Sequence, residues 1–443
     1  MRNLLENKSF FIETYGCSSN KADSNIMRDI LKKSEYEEKT FNEATFIIIN
    51  TCAVKEQTEN KIKARLKDLN KLTLKNQNKR IIIGGCLPQI NDNYLEKIKK
   101  IIPNYAAIID LNTIFDISDI LDEILEGKKN LVVLKKAHLD KAMHLVDYSE
   151  GKVTGIVPIS EGCLGSCTYC CVKNARGRLR CYNPNNILLN VEHQLSQGIK
   201  QIYFTSQDCS IYQYNDIGLF DILKEINSID KDFFLRVGMI NPRLLINDID
   251  QIIKILKLQK VYQFLHIPIQ SGSDDVLKRM KRPYLISEII NKINDLRDKF
   301  PYLTISTDII CGFPGESEYD FYKTINFIKW LKPEILNISK FTARPGTIAK
   351  NMEQLDSKLI KERSIRLTNL FKNSLKTLNL KWKDWEGRVL LLHRTKNKNQ
   401  VFGRNHAYKN IFLDDQNAKV GDFVNVKIHE IKGFNLFGKI IEK

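Results

Sequence analysis

Hydrophobic and polar positions change their period three times along this chain. Up to about residue 140 one theme repeats: an apolar run closed by a cysteine, then a helical pattern. "FFIETYGC" leads into "KADSNIMRDILKK", "ATFIIINTC" into "KEQTENKIKARLKDL", and "RIIIGGC" into "NYLEKIKKII". Runs apolar on both faces predict buried parallel strands, and apolar residues three and four apart predict amphipathic helices between them. In an open parallel sheet the carboxyl ends of the strands share one edge, where ligands bind. Cys17, Cys52 and Cys86 each end a run, so they are expected to converge on that edge from distant points in the chain.

Beyond a polar connection around "LEGKKN" and "KKAHLDKAMH", the alternation resumes from about 150 to 350. "GIVPISEG", "QIYFTSQ", "FFLRVGM", "YQFLHIPIQ", "TISTDIICGF" and "ILNISKFT" are six strands separated by helical segments. They predict a partial (β/α)6 barrel with its chemistry at the strand ends. Residues 357–383 predict a basic amphipathic helix with Leu367, Leu370, Phe371, Leu375 and Leu378 on one face. The remainder, "GRVLLLH", "QVFGRN", "NIFL", "DFVNVKI" and "FGKIIE", is short apolar runs divided by Gly, Asn and Asp, which predicts a small β-barrel without helix. The expected domains are 1–140, an α/β domain on a parallel sheet; 150–380, the partial barrel; and 384–443, the β-barrel.

Length changes this picture little: 443 residues suffice for two or three domains, each with its own core. The opening "MRNLLENKSF" holds no apolar stretch of signal-peptide length, and no run approaches the roughly 18 apolar residues of a membrane span. A soluble cytoplasmic protein without a membrane partner is expected. In that reducing setting ten cysteines point to metal ligands, catalytic thiols or small core residues rather than disulfides.

Charge adds a partner. The formal net charge is +17, and residues 340–404 carry 16 Lys and Arg against 5 Asp and Glu, a net +11 that makes up most of it. A polyanion such as RNA suits that distribution, because each neutralised phosphate releases counterions. Solvated basic faces without a partner would leave the same composition.

The densest chemistry lies in "EGCLGSCTYCCVKNARG", Glu161 to Gly177. Cys163, Cys167 and Cys170 have the spacing C-x3-C-x2-C directly after a predicted strand. Three thiolates on one loop can hold three corners of a [4Fe-4S] cube and leave the fourth iron open. A structural zinc site is the alternative, with Cys171 or Cys181 as fourth ligand. Cys181, Cys209 and Cys311 are not expected to be ligands of the cube.

"GCLGSCTYC" followed by "ARGRLR" resembles the radical S-adenosylmethionine signature of the methylthiotransferase family. "YGCSSNKADS", "NTCAVKE" and "GGCLPQ" resemble that family's N-terminal domain, and "TSQDCSIY", "RVGMINP", "HIPIQSGSDDVLKRMKR", "TDIICGFPGE" and "FTARPGT" its radical domain. "FGRNHAYKN" resembles its C-terminal TRAM domain. The matches run in family order over nearly the whole chain. Cys171 departs from the family's usual aliphatic residue.

The resemblance implies two [4Fe-4S] clusters and S-adenosylmethionine. Cys163, Cys167 and Cys170 would hold the cluster that cleaves the cofactor, with Tyr169 near the adenine; Cys17, Cys52 and Cys86 would hold a second, sulfur-bearing cluster. Gln207, Asp208, Gln270, Ser271 and Gly272 lie at strand ends where the family shapes its cofactor pocket, although each could equally cap the helix that follows. A radical is chemically warranted, since an aromatic C–H of a nucleobase is too weakly acidic for a side-chain base.

The implied reaction is 2-methylthiolation of tRNA adenosine 37 in the anticodon arm, with an electron donor as a further partner. "YGCSSNKADS" and "RVGMINP" resemble most the archaeal and eukaryotic branch that acts on N6-threonylcarbamoyladenosine. Isopentenyl-adenosine 37 or a ribosomal-protein aspartate are the alternative substrates, and a non-catalytic Fe–S RNA-binding protein is the alternative of another class. Arg176, Arg178 or Arg180 are expected to hold the threonylcarbamoyl carboxylate. Arg394, Lys396, Lys398, Arg404, Tyr408 and Lys409 are expected to meet RNA from the C-terminal barrel.

Overall fold

A computed structural model of the chain describes residues 8–76, 78–135, 139–149, 151–396 and 399–442. They form two compact units: Met1–Asp147 with Ser160–Asn183 and Thr342–Lys350, and Tyr148–Ile159 with Pro184–Phe341 and Asn351–Lys443.

The first unit is built on a six-stranded sheet: β1 (Ser9–Thr14), β2 (Glu37–Glu38), β3 (Phe46–Thr51), β4 (Arg80–Gly85), β5 (Ala107–Ile109) and β6 (Leu131–Val133). Their order is β2-β1-β3-β4-β5-β6, and every pair is parallel. Helices Ser18–Lys33, Glu56–Lys75, Asp92–Ile101 and Ile117–Leu125 make the crossovers. β3 and β4 lie at the centre with Ile47, Ile48, Ile49, Ile81, Ile82 and Ile83 fully buried, which is what a run apolar on both faces demands. Ser160–Asn183 and Thr342–Lys350 complete this unit. Ser160–Glu161 pairs antiparallel with Arg180–Cys181 and closes the loop that carries the cysteine signature. Within that loop a short helix, Val172–Arg176, buries Cys171 and Ala175 against the core of the parallel sheet.

The second unit contains six more parallel strands: β7 (Thr154–Pro158), β8 (Gln201–Thr205), β9 (Phe234–Arg236), β10 (Phe264–His266), β11 (Thr304–Cys311) and β12 (Ile335–Lys340). They form two three-stranded sheets, β9-β8-β7 and β10-β11-β12. Parallel bridges between Leu235 and Val261 and between Met239 and His266 join β9 to β10, so the six strands follow one another in chain order as a partial barrel. The expected basic helix spans Ser357–Leu378 and gives way to a 3-10 turn, Asn379–Trp382, earlier than residue 383. Leu367, Phe371 and Leu375 are buried on its inner face, and so is Arg363, which pairs with the buried Glu316 at 2.6 Å. A charge on the core-facing stripe was not expected from periodicity.

The chain ends in a closed barrel of β13 (Glu386–Arg394), β14 (Gln400–Asn405), β15 (Asn410–Asp414), β16 (Phe423–Lys432) and β17 (Asn435–Glu442), ordered β13-β14-β15-β17-β16. Closure leaves this small sheet no open edge. Val389, Leu391, Val401, Ile411, Val426 and Leu436 fill it. The β14–β15 loop is fastened to the parallel strands of the same unit: the Gln263 amide donates to the His406 carbonyl at 2.9 Å, and the Thr304 hydroxyl to the Ala407 carbonyl at 2.6 Å. Among the described residues no helix is long and apolar enough to cross a membrane.

Candidate cysteine centres and nucleic-acid interface

The three N-terminal cysteines follow neighbouring strands of one sheet. Cys17 sits after β1 and opens helix Ser18–Lys33, Cys52 follows β3 directly, and Cys86 follows β4. The polypeptide needs glycine on the way in. Gly16 has φ +113°, and a Cβ there would lie 2.8 Å from Cys52 Cβ and 2.9 Å from its sulfur.

Asn20, three residues into the helix, ties the trio together. Its Oδ1 lies 3.5 Å from Cys17 Sγ and 3.8 Å from Cys86 Sγ, both thiols donating. Its Nδ2 donates to the Thr51 carbonyl at 2.7 Å and to Asn50 Oδ1 at 3.1 Å, which fixes the amide. Burial, reinforced by the charges of Cys17 and Cys52 and opposed by Arg176, pushes the Cys86 thiol up to about 12. Burial and the Cys17 charge likewise raise Cys52. Thiols held this high stay protonated unless a metal takes the place of their protons, and an all-sulfur donor set suits an iron–sulfur cluster.

The signature cysteines form a second trio on one loop of the same unit. The Gly165 amide donates to Cys163 Sγ at 3.2 Å, and a Cβ on Gly165 would lie 3.2 Å from that sulfur and 3.9 Å from Cys167 Sγ. The Cys170 amide donates to the Cys167 carbonyl at 3.2 Å. Cys170 is exposed, yet desolvation by the atoms crowding its loop, followed by the charges of Cys167, Cys171 and Cys163, pushes its thiol up to about 12. Tyr169, half-buried, lies between Cys167 and Cys170 in the chain.

Cys171 faces elsewhere: it is buried, and its thiol donates to the Ala53 carbonyl at 3.3 Å. Arg344 donates to the same carbonyl at 2.7 Å. Among the described residues no three His, Cys, Asp or Glu side chains are grouped closely enough to hold a single metal ion.

In the second unit, Asp208 caps the 3-10 turn Cys209–Ile211, accepting from the Ser210 amide at 3.0 Å and the Asn241 amide at 3.3 Å. Burial outweighs these bonds and raises its carboxyl. Gln207 beside it is half-buried. Gln270 takes the left-handed region, φ +80°, with its amide donating to the Asp308 carbonyl and its carbonyl accepting from Ile310. Ser271 is fully buried, and a Cβ on Gly272 would meet Thr324 Cα at 2.6 Å. These two pack against helix Glu318–Leu331.

The basic residues separate by burial. Arg176 is only 4% exposed and its guanidinium is engaged by Glu161 at 2.5 Å and Asp23 at 2.8 Å, so Arg178, exposed, and Arg180, half-buried, are the arginines of that stretch that reach the surface. Arg394 donates to the Gln416 carbonyl at 2.8 Å and the Ala418 carbonyl at 2.5 Å. Arg404 bonds the Tyr203 hydroxyl and lies 3.9 Å from the Tyr408 ring centroid; Tyr408 packs on Phe264 at 4.6 Å. Lys396 is exposed, and Lys398 lies outside the described residues.

Lys409 is buried, with its ammonium on Asn379 Oδ1 at 2.7 Å, which takes it away from any surface phosphate. Burial, with Lys381 adding to it and Glu334 opposing, lowers it to about 8. Between that value and the unfolded lysine's value near 10.4 the unfolded chain binds the extra proton, so stability rises with pH across this window. Denaturation of the wild-type protein at pH 8 and pH 10 is expected to show that rise, on the order of 2 kcal/mol; Lys409→Met is expected to abolish it, and an unchanged rise would show the ammonium to be hydrated.

The sequence reading passed over Asn20, Asp23 and Arg344. One signal was available: Asp23 and Asn20 continue the Met27 and Leu31 face of their helix one and two turns back, placing polar groups on an apolar stripe.

Each trio lies inside a stretch that matches a known family. The chain matches the uncharacterized protein family UPF0004 over residues 9–109, the Radical SAM superfamily over 157–328 and the TRAM domain over 386–441. A Pyrococcus horikoshii protein named "Probable threonylcarbamoyladenosine tRNA methylthiotransferase" is 35% identical over 436 residues, 97% of this chain and 99% of that one. This chain belongs to the radical S-adenosylmethionine methylthiotransferase family.

A second member, the "tRNA-2-methylthio-N(6)-dimethylallyladenosine synthase" of Dictyoglomus thermophilum, is 33% identical over 443 residues, 98% of this chain and 99% of that one. Membership implies S-adenosylmethionine and [4Fe-4S] clusters. Among solved structures, the radical S-adenosylmethionine methyltransferase TsrM of Kitasatospora setae, with cobalamin and a [4Fe-4S] cluster bound, superposes with a TM-score of 0.54 at 12% identity, covering 77% of this chain and 73% of that one. At that identity the likeness establishes the fold.

Proposed function

We propose that this methylthiotransferase acts in the cytoplasm on the anticodon arm of tRNA, converting N6-threonylcarbamoyladenosine 37 to its 2-methylthio derivative with electrons from a partner donor. The observation that carries the reading is full-length likeness to relatives named for that reaction, in a chain that keeps both cysteine trios. Cys163, Cys167 and Cys170 are the proposed ligands of one [4Fe-4S] cluster, and Cys17, Cys52 and Cys86 of the other. Bound there with S-adenosylmethionine, the clusters supply one-electron cleavage of a sulfonium and a sulfur to transfer, the chemistry an inert adenine C–H requires.

The chain's own side chains do the rest. Arg178, exposed beyond the short signature helix, offers a guanidinium to the threonylcarbamoyl carboxylate, which a lysine would hold less specifically. Lys396 neutralises phosphate from the end of β13, while Arg394, Arg404 and Tyr408 hold the surrounding surface in shape. Gln207 and Asp208 line the cofactor side of the second unit. Dimethylallyl-adenosine is the second reading, favoured by the Dictyoglomus relative.

Purified protein with both clusters reconstituted, given S-adenosylmethionine, dithionite and either tRNA, tests the choice by nucleoside mass spectrometry. Methylthiolation of the threonylcarbamoyl tRNA alone is expected. Methylthiolation of the isopentenyl tRNA alone would transfer the assignment to the second reading.

A further inference from the structure

The stretch "TARPGTIAK", Thr342 to Lys350, supplies no cysteine to either trio and no contact to the RNA surface. It follows strand β12 and belongs to the first unit, although Phe341 and Asn351 on either side of it belong to the second. Its first half grips the neighbourhood of the N-terminal trio. Arg344, 6% exposed, donates through Nη2 to the Ala53 carbonyl at 2.7 Å, and Ala53 directly follows Cys52. Its Nη1 pairs at 2.5 Å with Oε2 of Glu59, a buried carboxylate in the first turn of helix Glu56–Lys75. The Thr342 hydroxyl donates to Glu56 Oε2 of the same helix at 3.2 Å.

Its second half grips the signature loop. The Ala349 amide donates to the Thr168 carbonyl at 2.9 Å, and Thr168 directly follows Cys167; both residues are buried. Between these anchors Pro345 and Gly346 form a tight turn, with Gly346 at φ +72° and the Thr347 amide and hydroxyl donating to the Arg344 carbonyl at 3.3 and 2.7 Å. Proline presets one turn position and glycine takes the other without strain, so the span from Arg344 to Ala349 is stiff. A Cβ on Gly346 would lie 2.7 Å from Asn174 Nδ2, which puts the turn against the short signature helix. The Ala53 carbonyl completes the junction: besides Arg344 it receives the Cys171 thiol at 3.3 Å, its two lone pairs sufficing for both.

We propose that Thr342–Lys350 is a strap that fixes the separation of the two cysteine trios, with Arg344 as its positioning residue, so that cofactor cleavage at one trio stays coupled to methylthio transfer at the other. This rests on the reading that each trio holds a [4Fe-4S] cluster and that the chain methylthiolates tRNA. Arginine suits the task because its planar fork grips two acceptors on different elements in one fixed geometry, which a lysine does not. Chemistry shared between two centres is sensitive to their placement: an error of about 1 Å can cost about a hundredfold in rate.

The test is Arg344→Met in the full-length protein with both clusters, given S-adenosylmethionine, dithionite and threonylcarbamoyl tRNA. Lys63 still pairs with Glu59 at 2.5 Å, so the variant leaves no buried carboxylate alone. Formation of 5′-deoxyadenosine is expected to stay within about threefold of wild type while the 2-methylthio product falls about tenfold or more, so that cofactor is consumed without product. Electron paramagnetic resonance of the doubly reduced protein is expected to show altered magnetic broadening between the clusters at full iron content. Arg344→Lys should fall between, since it keeps the charge and loses the fork.

Should Arg344→Met fail to fold, Arg344→Met with Glu59→Gln removes both charges of the buried pair, and the same two changes are expected. An unchanged ratio of 5′-deoxyadenosine to product, whether both persist or both are lost, would overturn the role of Arg344, and so would unchanged broadening. Absence of methylthio product or of a second cluster signal in the unaltered protein would overturn the reading beneath it.

Discussion

Replacing Cys167 by alanine is expected to abolish both reductive cleavage of S-adenosylmethionine and methylthiolation, to below the detection of either assay. Cys167 is the middle member of the signature loop: its carbonyl receives the Cys170 amide, and its charge reaches Cys170. With two thiolates left, the loop cannot hold a cube, and iron in the reconstituted protein should fall by about half, one of two clusters being lost. The fold should survive, because the loop's own anchor is the ribbon of Ser160–Glu161 with Arg180–Cys181 and the burial of Cys171 and Ala175, none of which uses this thiol. Chromatography of 5′-deoxyadenosine together with iron analysis reads both effects. Cleavage at the wild-type rate in the variant would remove Cys163, Cys167 and Cys170 from the proposed chemistry.

Cys52→Ala should separate the two halves of the reaction. Cys52 directly follows the fully buried strand β3, and a hydrogen in place of its thiol group costs the fold only about 1 kcal/mol. Formation of 5′-deoxyadenosine should therefore persist within a few-fold of wild type, since the signature loop is untouched. The 2-methylthio product should disappear, because the second cluster loses one of three ligands and the sulfur has no place to be held. Equal loss of cleavage and product would mean that the trios serve one function and that the division of labour proposed for them is mistaken.

Much of this arrangement was legible in the sequence because its strongest signals are local. β3 and β4 are isoleucine-rich runs buried on both faces, and each ends at a cysteine, so their pairing and the convergence of Cys17, Cys52 and Cys86 followed from the geometry of a parallel sheet. β5 and β6, three residues each, are too short to show a period and were not foreseen. The charges proved hardest to place. Arg176, Arg363 and Lys409 look like surface cations in a basic chain; the structure buries all three against Asp23 and Glu161, Glu316, and Asn379. Their partners lie 15 to 153 positions away in sequence, a separation that no local pattern records. Cys171 is a different case. The sequence marked it as unusual, and only the packing shows why a small thiol suits the site: it fills the sheet core and reaches the Ala53 carbonyl beside Cys52.

The most direct measurement is mass spectrometry of nucleosides from total tRNA of cells with and without this gene. Loss of 2-methylthio-N6-threonylcarbamoyladenosine, with N6-threonylcarbamoyladenosine accumulating in its place and the isopentenyl derivative unchanged, is the predicted result. An unaltered nucleoside profile would contradict the account and direct attention to a ribosomal-protein substrate.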